Sequence, residues 1–117
     1  MLTVRAESKD IESILGSSEG MQINLPDGTA LSAVITYISP LAHESAGQSG
    51  LFSSLTTENL FHISRKIRMY NLKVTHLMGL IQSSNTSFIE HAVNNINETK
   101  DAILSDCTLI QSQLEQA

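Results

Sequence analysis

From Thr56 onward the apolar positions keep one long cadence. Leu60, Ile63, Ile67, Tyr70, Val74, Leu77 and Ile81 follow one another at steps of three and four. That spacing keeps one face of an α-helix apolar for heptad after heptad. Ser83, Ser84, Asn85 and Thr86 break it. The cadence resumes with Ile89, Val93, Ile96, Lys100, Ile103, Cys107, Ile110 and Leu114. Lys100 is the one polar member, and its aliphatic stem can cover the seam while its amine reaches water. Thr56 or Thr57 is the expected cap of the first helix, with Glu58 facing the dipole of its first turn. Ser87 and Glu90 are spaced as a capping box for the second. One continuous helix of about sixty residues competes with a hairpin, because the break equals a four-residue stutter. The polar tetrad and the capping box agree on an antiparallel helical hairpin over 55–117 with a coiled-coil-like seam.

The first third of the chain has a different rhythm. Ile11, Ile14 and Leu15 predict a short helix over 8–15, with Gly16 placed as its C-terminal cap. Residues 17–20 read as a turn. Met21, Ile23 and Leu25 alternate with polar residues, and Pro26-Asp27-Gly28 separates them from a second β-prone run over 31–38. Proline presets φ and glycine supplies positive φ, so the pattern predicts a β-hairpin. An isolated hairpin is marginal in water and must pack on the helices or gain strands from residues 1–4 or another subunit. Residues 39–54 hold one proline, two glycines and many small side chains, and they read as a long flexible loop. The expected fold is α+β and mainly α. It is a single domain of 117 residues, with the short helix and β-hairpin in 1–38, the loop in 39–54 and the helical hairpin in 55–117.

Composition sharpens this picture in two places. With no Trp and 4% aromatic residues, the core has to come from Leu, Ile, Val and Met, which suits helix packing. A net charge of −5 argues against general nucleic-acid binding, which needs excess Lys and Arg to displace counterions. Even so, Arg65, Lys66, Arg68 and Lys73 crowd into nine residues. A hairpin turning near Ser84 and Asn85 brings Lys66 toward Asp106 and Lys73 toward Thr99. Arg65 and Arg68 face away and meet no expected acid, which makes them candidates for contact with a partner. Phe61, Leu72, Met78, Leu80, Leu104 and Leu109 lie outside the seam as a second apolar stripe. Of these, Leu72, Met78 and Leu80 join Arg65 and Arg68 as expected partner-binding residues.

The residues assemble no pattern that catalysis or metal binding requires. The six glycines form no phosphate loop. No two histidines stand at i,i+4, and Cys107 has no neighbouring ligand, so no metal site is expected. His43-Glu44-Ser45 offers a base, an acid and a hydroxyl, but catalysis needs a rigid frame to aim them. Cys107 occupies a seam position and is expected to be a buried structural thiol. No catalytic residue, cofactor or enzyme activity is expected. Residues 1–7 lack the apolar core of a signal peptide, and no run is long enough to span a membrane. A cytoplasmic protein is expected, with export by a signal-less secretion route still open.

The stretch 64–72, Ser-Arg-Lys-Ile-Arg-Met-Tyr-Asn-Leu, resembles the Tyr-Asn-Leu segment in helical hairpins of type III secretion needle and inner-rod subunits. Those chains end soon after that helix, whereas this one continues. The small acidic character is similar to that of secretion chaperones, whose strand-rich second half is absent here. The resemblance implies a structural subunit or chaperone of a bacterial secretion or filament apparatus. The residues themselves imply a non-enzymatic interaction module, an adaptor or assembly factor, whose helical hairpin self-associates as a homo-oligomer or binds a protein partner.

Overall fold

The computed structural model describes residues 2–16, 21–25, 28, 30–33, 36–83 and 86–115. The expected turn at 17–20, Pro26 and Asp27, Val34 and Ile35 of the second β-prone run, and the Ser84-Asn85 step lie outside the described residues.

Two long antiparallel helices form the body. The first, named α3 from its place in the chain, spans Ser54–Gln82, and α4 spans Ile89–Glu115. Of the expected α3 seam, Leu60, Ile63, Ile67, Tyr70, Val74 and Leu77 are buried and Ile81 is half-buried. All of the α4 seam is buried except Lys100, which is half-buried. Each fully buried Leu, Ile or Val contributes about 1.5–3 kcal/mol, so this seam is the main source of stability. The cap of α3 is Ser53, not Thr56 or Thr57. Its hydroxyl accepts from the Thr56 amide at 3.2 Å, and Thr56 turns inward. Glu58 therefore sits beyond the first turn, beside His62. Ser87 falls inside a 3-10 turn, Thr86–Phe88, that leads into α4.

Polar contacts along one flank mark the register. Asn59 donates to Gln113 at 3.1 Å, Lys66 to Asp106 at 2.7 Å and Lys73 to Thr99 at 2.6 Å. Each step of seven residues forward on α3 is matched by seven back on α4. This is the heptad spacing of two helices that keep facing each other, and the expected Lys66 and Lys73 pairings are both present.

The N-terminal part covers one side of this pair. The first helix, α1, runs over Leu2–Gly16, so it begins well before the expected 8–15. Residues 2–4 are helical and add no strand. Its buried stripe is Val4, Ser8, Ile11 and Leu15, at steps of four, three and four. A buried serine interrupts the apolar pattern and hid the first half of the helix. Gly16 closes α1 without the positive φ of a left-handed cap.

Strands β1 (Met21–Asn24) and β2 (Ala30–Ala33) pair antiparallel, with Ile23 opposite Leu31. Gly28 takes φ 88° and donates its amide to the Leu25 carbonyl at 3.0 Å, the conformation for which glycine was expected. The second strand is shorter than 31–38, and Thr36–Ile38 is not part of the sheet.

The segment expected to be a loop holds α2, Leu41–Gln48. Its inward residues are His43 and Gly47, one turn apart. Neither is read as apolar, so no periodicity announced the helix. A Cβ at position 47 would come within 3.0 Å of the Phe61 ring. Glycine there lets α2 lie close against α3. Helix α1 packs on α4, α2 on α3, and α1 on α2, while β2 rests on α4. The result is an elongated molecule of 51 × 22 × 18 Å. Among the described residues, no helix is long and apolar enough to cross a membrane.

Candidate functional site

The basic segment of α3 divides between two jobs. Lys66 and Lys73 belong to the flank ladder. Arg68 pairs with Glu44 of α2, which overturns the expectation that it meets no acid within the chain. That acid was invisible in the sequence because its helix was read as a loop. Arg65 remains exposed and, among the described residues, reaches only the His62 ring, at 3.2 Å.

The expected apolar stripe divides as well. Leu80 is buried, with 9% exposure. Met78 is half-buried, and its sulfur accepts a hydrogen bond from the Tyr37 hydroxyl at 3.7 Å. Both are largely used within the molecule. Leu72 is 66% exposed and Met69 is 52% exposed. On α3, exposed His62, Arg65, Met69, Leu72 and His76 succeed one another at steps of three and four. They form the face opposite the seam. Met69, His62 and His76 lie outside the expected stripe, although the heptad arithmetic that marks the seam also places them together.

At the turn end, the groove between α3 and α4 opens into a concavity of about 410 Å³. Its floor is Leu80 and Ala92, both buried. These two residues are the next rung of the flank register, seven on from Lys73 and seven back from Thr99. Lys73, His76, His91, Asn95 and the exposed ring of Phe88 form its walls. Met69, Lys73, His76 and Leu80 share one helix stripe, so the groove runs into the exposed face described above.

A third polar cluster lies inside. Ser8 and His43 are both fully buried, with Ser8 Oγ at 2.9 Å from His43 Nε2. Cys107 of α4 lies near enough for the same hydroxyl to act on its thiol. With the proton on Nε2, His43 donates to Ser8. Among the described residues His43 Nδ1 has no hydrogen-bond partner. Burial lowers the His43 pKa to about 4. The Cys107 pKa is raised to about 12, chiefly by burial and then by Glu12 and Asp106. The imidazole and the thiol are thus both neutral near pH 7, the opposite of an activated thiolate–imidazolium pair. This is a polar knot joining α1, α2 and α4. His43, Glu44 and Ser45 do not act together: His43 points inward, Glu44 outward to Arg68, and Ser45 is exposed. Among the described residues, no group of three or more His, Cys, Asp or Glu side chains is placed to hold a metal ion.

No protein-family model, curated protein or solved structure matches this chain.

Proposed function

We propose that this protein is a non-catalytic interaction module whose α3 outer face docks an acidic protein partner. The observation that carries this is the exposed Met69–Leu72 pair, held in the middle of a long helix and bracketed by Arg65, His62 and His76. Packing does not require apolar side chains there, because the seam and the side covered by α2 already anchor α3. Large exposed apolar residues rimmed by charge are typical of contact surfaces. The charge selects the partner. Arg65 supplies the cation beside the apolar pair, and a surface bearing carboxylates would attract it.

The test pairs light scattering over a concentration range with a pull-down from a lysate of the source cells. The variants Leu72→Asp and Arg65→Glu are compared with the parent. Both positions are exposed, so melting temperature should hold while capture of the partner falls. Equal capture by parent and variants would end this proposal.

A further inference from the structure

We propose that the turn-end groove is an anchor site for one apolar side chain of an acidic amphipathic helix, with carboxylates on either side of that residue. The inference rests on the docking function proposed above and adds where the partner is gripped and by what chemistry.

The flank ladder explains why the groove exists. At Asn59–Gln113, Lys66–Asp106 and Lys73–Thr99, two polar side chains bridge α3 and α4 and close the cleft between them. At the next step in the same register stand Leu80 and Ala92. Neither has a polar group to reach across, and alanine is too short to fill the space. The cleft stays open over an apolar floor there, and the ring of Phe88, 58% exposed, stands at its edge.

The rim supplies the charge preference. Lys73 and His76 come from α3 and His91 from α4, and no carboxylate is among the described lining residues. In a chain of net charge −5, a concavity with the Lys73 ammonium on its wall and no acid among its described lining residues favours an anionic visitor. An inserted leucine or phenylalanine would cover the floor, and acids one turn before and after it would meet opposite walls. A partner helix has the shape for this, because the groove continues into the exposed Met69–Leu72 face.

The experiment uses the full chain and three designed helical peptides carrying a fluorophore. One presents a single leucine among glutamates, the second replaces the leucine with alanine, and the third replaces the glutamates with lysines. Fluorescence anisotropy should show saturable binding of the first, with the other two weaker by about tenfold or more. Two groove variants probe the protein side: Ala92→Leu fills the floor, and the double change His76→Glu with His91→Glu reverses the rim at exposed positions. Each should weaken the first peptide by about tenfold or more, with far-UV circular dichroism and melting close to the parent's. If Ala92→Leu unfolds, the double rim variant carries the test alone. Parental affinity in the rim variant, equal binding of all three peptides, or no binding of the first would each overturn the anchor. Concentration-dependent self-association that the groove variants abolish would overturn it in favour of a second copy. Loss of the peptide in Leu72→Asp but not in the groove variants would spare the docking face and remove the anchor. The reverse pattern would keep the anchor and remove the face.

Discussion

Asn71 holds Ile38 by both of its backbone groups. The Asn71 side-chain amide donates to the Ile38 carbonyl at 2.7 Å, and its oxygen accepts from the Ile38 amide at 2.9 Å. One side chain thus imitates a rung of β-ladder on a helix surface. It fastens the segment after β2, which has no strand neighbour among the described residues. Beside it, Tyr37 hydrogen-bonds Thr75 one helical turn further on.

Asn71→Ala should therefore cost about 1–3 kcal/mol, because two half-buried backbone groups lose their partners. Asn71→Asp should also destabilise, since the carboxylate cannot donate to the Ile38 carbonyl. Urea unfolding gives the stability change, and amide exchange at Ile38 should accelerate in both variants. Unchanged exchange would mean that the pair contributes little to holding the segment.

The second prediction is acid sensitivity through His43. Its unfolded pKa is near 6.5 and its folded pKa is about 4. Above pH 6.5 the ring is neutral in both states and its contribution does not vary. Below that, the unfolded chain takes up a proton that the folded chain refuses, so stability is lost as pH falls from 6.5 to 4. The full shift corresponds to at most about 3 kcal/mol. His43→Gln can still hydrogen-bond Ser8 but cannot titrate, so its stability–pH curve should be flatter in this window. Parallel curves for parent and variant would remove His43 as the cause.

Cys107 gives a third, simpler measurement. It is fully buried, and its pKa is raised to about 12, mainly by burial. A water-soluble disulfide reagent at pH 8 should leave the native thiol unmodified and label it at once in denaturant. Rapid labelling without denaturant would place the sulfur at the surface and undo the polar knot described with Ser8.

How far the sequence could be read depends on which residues face inward. Where the inward residues are leucine, isoleucine and valine, as on α3 and α4, the register could be read to the level of Lys66 with Asp106. Where they are Ser8, His43 and Gly47, the buried stripe carries no apolar signal, and α2 and half of α1 went unseen. Arg68 was misjudged for the same reason, since its acid lies on the unseen helix. Arg65 and Leu72, expected to face a partner, are exposed, whereas Leu80, expected beside them, is buried on the groove floor. The groove was not legible, because an open rung between Leu80 and Ala92 looks in sequence like any other apolar pair.

The last prediction separates what holds the helical hairpin together from what aligns it. Lys66 and Asp106 meet at 2.7 Å, with side chains 39% and 21% exposed. Solvent screens such a pair, so a double-mutant cycle on Lys66→Ala and Asp106→Ala should give a coupling of only about 0.2–1 kcal/mol. Beside this pair in the seam, Ile67 and Ile103 are fully buried. Replacing either with Asp forces an unpaired carboxylate into the apolar interface, at a cost of several kcal/mol, which is a large part of a small domain's stability. Circular dichroism should therefore show Ile103→Asp largely unfolded and Lys66→Ala melting within a few degrees of the parent. The ladder should matter for register instead. Lys66→Asp sets two acids opposite each other, and adding Asp106→Lys restores an attractive pair in reversed order. The double exchange should recover most of the melting temperature lost by the single change. Failure to recover would mean that Lys66 contributes through its packed aliphatic stem, and that the seam alone sets the alignment of α3 with α4.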